Sequence, residues 1–172
     1  RPETPFHVPP GEQVTLHVST PLWLRLGVGE PPRRLLEVPL HRPSDTWFGA
    51  NTLDGDVCYA SATRFVVRLD NAPMAPHRAT TAVRIRNRAE VDLLLDRIRL
   101  PVASLAVFQA SDGRIWTNDV TLDRREATEF AELRVGKGEP TQAAGAEKVA
   151  EPREVPTGNV VVRAFSKLLQ AW

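Results

Sequence analysis

The chain has 172 residues and a mass of 19.1 kDa, which is one domain's worth of sequence. It is 42% hydrophobic and 25% charged, with 22 Lys+Arg against 21 Asp+Glu, a net charge of +1. That balance excludes a nucleic-acid binder working through a large positive field, and the single cysteine, Cys58, excludes a disulfide framework or a cysteine-based zinc cluster. The most apolar run, Val91 to Leu100, is broken by Asp92 and Asp96, so no segment reads as a bilayer span. No signal-peptide pattern follows Arg1, and the expected location is the cytoplasm, an expectation that leaves open what precedes Arg1.

In chain order, the first half reads as strands. Gln13 to Val18 alternates, with Val14, Leu16 and Val18 on one face. After Thr20-Pro21, Leu22 to Leu26 resumes the alternation with Leu22, Leu24 and Leu26 inward. A turn over Gly27 to Pro32 leads into Arg34 to Val38. Leu40 to Asp56 reads as irregular, and Val57 to Ala60 and Thr63 to Leu69 as β-rich again. Thr81 to Asn87 and Leu93 to Leu100 are expected to pair as a hairpin. Ser111-Asp112-Gly113 between two β-rich runs predicts a second, because Gly takes positive φ without strain. A last strand runs from about Ala127 to Val135.

The composition then changes. Gly136 to Pro156 is rich in Lys, Glu, Ala, Gly and Pro and reads as a solvated linker. Beyond it, Val161, Phe165, Leu168, Leu169 and Trp172 recur at helical spacing. The expected architecture is an all-β antiparallel β-sandwich, or distorted barrel, of about 9–10 short strands. A short C-terminal amphipathic helix follows on a flexible linker. The divisions are 1–136 (sandwich), 137–158 (linker) and 159–172 (helical tail).

Several strings resemble a known prokaryotic family. They are Pro9-Pro10-Gly11-Glu12, Thr20-Pro21-Leu22-Trp23-Leu24-Arg25, Ser44-Asp45-Thr46-Trp47-Phe48-Gly49, Gly55-Asp56-Val57-Cys58-Tyr59-Ala60 and Val83-Arg84-Ile85-Arg86-Asn87-Arg88-Ala89. The family is "domain of unknown function 432", and the resemblance runs from about Pro2 to Val135. It implies a small β-rich protein of archaea and bacteria whose members often begin further upstream. It implies no reaction and no catalytic residues.

The residues themselves carry weak chemical signals. Cys58 would need a base, and His7, His17, His41 and His77 are the candidates, but no known signature surrounds it. Neither Ser44 nor Ser61 lies in a nucleophile elbow. The histidines have no metal-ligand spacing, and Asp54-Gly55-Asp56 reads as a turn before it reads as a calcium loop. Arg84, Arg86 and Arg88 share one strand face, where cross-strand pairing with Asp96, Asp92 or Glu90 is expected. Trp47-Phe48 is expected to plug one end of the sandwich or to floor a pocket.

The functional expectation is therefore a non-enzymatic interaction or scaffolding module. It needs no cofactor or metal, binds no nucleic acid, and engages a protein partner or a second copy through Phe165, Leu168, Leu169 and Trp172 of the C-terminal helix. The competing expectation is a small-ligand-binding or hydrolytic domain with a pocket around Asp45, Trp47, Phe48, Cys58, Arg84 and Arg86, with His41 nearby in sequence.

Overall fold

The structure is a computed structural model that describes residues 4–41, 44–49, 53–60, 65–67, 75–155 and 159–166. Its strands are β1 (Phe6–Val8), β2 (Gln13–Pro21), β3 (Trp23–Val28), β4 (Arg33–Pro39), β5 (Ser44–Gly49), β6 (Gly55–Ala60), β7 (Phe65–Val66) and β8 (Arg78–Asn87). There follow β9 (Leu93–Leu95), β10 (Arg97–Ile98), β11 (Val107–Gln109), β12 (Ile115–Thr117), β13 (Val120–Arg124), β14 (Phe130–Val135), β15 (Glu147–Ala150), β16 (Val160–Arg163) and β17 (Phe165–Ser166). A 3-10 turn at Val102–Ser104 is the sole helical element among the described residues.

Strand β8 is the axis of the molecule. β2 lies antiparallel along one side of it, from Gln13 opposite Arg86 to Pro21 opposite Arg78. The other side is taken by β12 and then β13, both parallel to β8. Trp116 faces Thr80 but Val120 faces Val83, so one extra residue is accommodated between them. Such a bulge bends a strand and changes its neighbours. Here β12 pairs outward with β11, and β13 pairs outward with β14. β15 extends the first branch and β16 the second. With β7 on β2, this makes nine strands in one mixed sheet that curls on itself.

Alternation decides which face is dry. Leu16 and Val18 of β2, Val83 and Ile85 of β8, Val120 and Leu122 of β13, and Leu133 of β14 point to one side and are buried. Val8, Leu93, Leu95, Leu105, Ala164 and Phe165 close over them. Val8, Leu93, Leu95 and Phe165 belong to two short ladders, β1 with β9 and β10 with β17, while Leu105 follows the 3-10 turn and Ala164 directly precedes β17. On the opposite face a smaller cluster, Phe108, Trp116, Ala106 and Ala146, lies near the β11–β12 end.

Asn87, fully buried at the end of β8, ties these parts together. Its amide donates to the carbonyls of Val8 (2.8 Å) and Val91 (2.9 Å), and its Oδ1 accepts from Arg124 Nη1 (3.0 Å). Arg124 also donates to the carbonyls of Thr128 and Val91. Burial holds this guanidinium below its ordinary pKa.

Four expectations are corrected. The chain is all-β, but it is not an antiparallel sandwich: β8 has parallel neighbours, and the core is closed by two small ladders instead of a second full sheet. The C-terminal helix is not formed. Residues 160–163 and 165–166 are strands, because three consecutive β-branched valines favour extended backbone and Val160 and Val162 are half-buried while Val161 is 68% exposed. Phe165, expected on the partner-binding stripe, is buried in the chain's own core, while Leu168, Leu169 and Trp172 lie outside the described residues. The third correction concerns the flexible linker. β15 falls within it, and its first part is fastened by Asn118 Nδ2 to the Gly138 carbonyl (2.8 Å), Thr141 Oγ1 to Asp119 Oδ2 (2.7 Å) and Gln142 Oε1 to His17 Nε2 (2.5 Å). Finally, β8 and the 93–100 run do not pair. β9 goes to β1 and β10 to β17. The Asp-Gly hairpin forms as expected, with Gly113 at φ +80° between β11 and β12.

Candidate functional site

The expected pocket residues on β5 and β6 form a hairpin where an irregular loop was anticipated. Pairing Thr46 with Cys58, Trp47 with Val57 and Phe48 with Asp56 sets the faces. Asp45, Trp47 and Val57 point outward and are exposed, whereas Phe48 is buried and Cys58 half-buried on the other side. The pleat thus separates Asp45 and Trp47 from Cys58 and Phe48. Phe48 is buried, with the Arg97 guanidinium 5.8 Å from its ring centre; Trp47 lies across Gly55, where a Cβ would stand 2.7 Å from the indole.

Arginines fasten this hairpin. Arg99 Nη1 bonds Asp56 Oδ2 (2.7 Å), Arg163 Nη2 bonds Asp54 Oδ1 (2.5 Å), and Arg97 Nη1 donates to the Trp47 carbonyl (3.2 Å). The two aspartates of Asp54-Gly55-Asp56 therefore engage guanidinium groups. No cluster of three or more metal-ligating side chains occurs among the described residues. Burial pushes the Cys58 thiol up, against the pull of Arg99 and Arg97 and with a further push from Asp56. At neutral pH it is a thiol, not a nucleophilic thiolate. No hydrogen bond joins it to a histidine among the described residues: His7 lies 3.9 Å from Asp92, His17 is buried against Gln142, and His41 and His77 are exposed. Ser61 lies outside the described residues.

Arg84 and Arg86 sit elsewhere, on the polar face of β8. Arg84 is flanked by Thr15 and Thr121, with Arg134 one strand further on. Neither Arg84 nor Arg86 makes an ion pair among the described residues, while Arg88 pairs with buried Asp123 at 3.0 Å. Asp96, Asp92 and Glu90 are not the partners that alternation led us to expect. The structure does not bring Arg84 or Arg86 to the Trp47/Cys58 hairpin.

The surface that sequence reasoning missed is the β3–β4 hairpin. Its two strands pair with each other and with no other strand among the described residues. The rear is anchored: the Arg153 guanidinium stacks 3.9 Å over Trp23, and Glu37 receives Arg153, Arg34 and Arg25. Desolvation pushes the Glu37 carboxyl up, yet those three guanidinium groups bring it below its ordinary value. The front carries Leu24, Leu26, Val28 and Leu36, and a bulge between Leu26 and Gly27 leaves Leu35 as an extra residue. These five side chains are 50–64% exposed. The alternation was legible, but its direction is reversed: Leu24 and Leu26 face out. Runs of aliphatic residues on both strands were the available signal.

No helix among the described residues is long and apolar enough to cross a membrane. No curated protein and no solved structure matches the chain. The family match covers residues 1–170, so the tail beyond Val135 belongs to it as well. The chain is a member of the family of proteins of unknown function DUF432.

Proposed function

We propose that this chain is a non-enzymatic protein-interaction module whose contact surface is the aliphatic front of the β3–β4 hairpin. The observation that carries the reading is the outward row of Leu24, Leu26, Val28, Leu35 and Leu36 on a two-stranded arm. At roughly 90 Å² of exposed apolar surface each they present about 450 Å², the size of patch that is often functional on a monomer. The occupant is a second copy of the chain. The row is aliphatic throughout and so complements itself, and two such faces together remove about 900 Å², the range of weak, reversible contacts. The protonated state of Cys58 and the separation of Asp45 from it support a role without covalent catalysis.

Sedimentation equilibrium tests the reading. The expected result is a mass that rises from monomer toward dimer with concentration, and a Leu26→Lys, Leu36→Glu double variant that stays monomeric with an unchanged melting temperature. A monomeric wild-type chain up to about 1 mM, or a variant that still dimerises, overturns it.

A further inference from the structure

The polar face of the central sheet carries more positive charge than its own carboxylates answer. On β8, Arg84 and Arg86 alternate with buried Val83, Ile85 and Asn87, so both project to the side away from the core. Two residues of strand put them about 6.8 Å apart. Register sets Thr15 and Thr121 beside Arg84, and Gln13 and Asp123 beside Arg86. Glu132 and Arg134 of β14 lie one strand further on.

The two acids on this face are already engaged. Asp123 stands 3.0 Å from Arg88, which follows β8 directly. Glu132 receives Arg134 (2.8 Å) and Arg125 (3.1 Å). That leaves Arg84 and Arg86 with neither an ion pair nor a hydrogen bond among the described residues, Arg84 exposed and Arg86 half-buried. Only Arg33, beside the β3–β4 turn, shares that state among the described arginines. The neighbouring guanidinium groups repel one another, so a negative charge placed over them is attracted by both.

We infer that this face docks an extended acidic segment of a partner protein, with carboxylates at alternate positions set against Arg84 and Arg86. Side chains on one face of an extended segment recur at the same spacing of about 6.8 Å, so two such carboxylates reach both arginines together. The edges of both guanidinium groups are open to paired N–H bonds with them. A nucleic acid fits less well: a longer phosphate backbone would run onto Glu132, and no aromatic ring stands beside Arg84 or Arg86 in the register to stack a base. The surface lies on the nine-stranded sheet and does not rest on the β3–β4 reading.

The test is fluorescence anisotropy of the full chain with a labelled peptide of about ten residues alternating Glu and Thr. The expected result is saturable binding that weakens with salt. A Gln-for-Glu peptide does not bind, and a peptide of equal charge with its Glu in one block binds more weakly. Arg84→Gln with Arg86→Gln loses at least about tenfold in affinity while the chain stays folded, because neither arginine holds a partner. Lysine at both positions keeps part of the affinity, and Arg33→Gln changes nothing. Amide shifts in the unmodified chain concentrate at Gln13 to Thr15, Arg84 to Arg88 and Thr121 to Asp123. No binding up to about 1 mM peptide overturns the assignment. So does an undiminished affinity in the double glutamine variant, equal binding of the block peptide, tighter binding of a DNA duplex than of the peptide, or amide shifts confined to β3 and β4.

Discussion

Asn87 makes the sharpest test of how this fold is held. Its amide fixes β1 through the Val8 carbonyl and the β8–β9 turn through the Val91 carbonyl, and its Oδ1 accepts one hydrogen bond from Arg124. Asn87→Ala removes all three bonds. Val91 keeps its bond from Arg124, so the groups left short are the Val8 carbonyl and one arm of a buried guanidinium. At about 1–3 kcal/mol for each buried group left unsatisfied, the loss is about 3–4 kcal/mol. For a chain of this size that lowers the melting temperature by about 10 °C. Urea unfolding should show the midpoint falling at constant m, the mark of a stability change without a change of denatured state. Replacing Arg124 as well, in Asn87→Ala with Arg124→Met, should cost at least about 1 kcal/mol less than the two single changes summed, because both polar partners then leave together. A loss below about 1 kcal/mol for Asn87→Ala, or strict additivity of the pair, would refute the account.

Other outcomes follow from the same structure. Phe165→Ala should destabilise the chain by about 3–5 kcal/mol in chemical unfolding, since Phe165 is a core side chain. Removing residues 159–172 should do at least as much harm. Arg163→Ala should cost no more than about 1 kcal/mol, its partner Asp54 being largely exposed, yet proteolysis should cut the β5–β6 hairpin faster, and more so at low salt where the wild-type pair is strongest. Cys58 should react slowly with a disulfide reagent at neutral pH and speed up only in alkali. Because its folded pKa is raised, its contribution to stability is intact below the unfolded thiol's pKa and is lost as pH rises through the folded value, which unfolding midpoints in alkaline buffers would show. Asp56→Asn should bring that reactivity to lower pH, since Asp56 adds to the upward shift.

Much of the fold was legible because alternation is a local signal. β2, β4, β8 and β14 fall where period two places them, and Asp112-Gly113 marks its hairpin. What alternation does not carry is the identity of the partner strand. β8 meets β13 across the intervening β9 to β12, and β9 turns to β1, so an expectation of neighbours pairing with neighbours fails at both. Nor does it say which side is dry: Leu24 and Leu26 have the spacing of core residues and stand in the open. The tail misled for a different reason. Val161 and Phe165 are four apart, which suits a helix, but Val160-Val161-Val162 favours a strand, and β14 and β10 offered edges to pair with. The candidate site suffered from the pleat, since Asp45, Trp47, Phe48 and Cys58 are close in sequence and divided between two faces.

The two short ladders that close the core have a consequence for synthesis. β9 and β10 are adjacent in the chain, separated by Asp96 alone, and they receive β1 from one end of the sequence and β17 from the other. While residues up to about 150 have left the ribosome, β8 already has β2, β12 and β13, but Phe165 and Ala164 have not arrived to cover Leu95 and Leu105. The nascent chain therefore carries an open apolar trough until β16 and β17 emerge, and long-range pairings of this kind form slowly. Translation speed through the codons for β16 and β17, and chaperone access during them, should govern the yield of this fold more than its finished stability does.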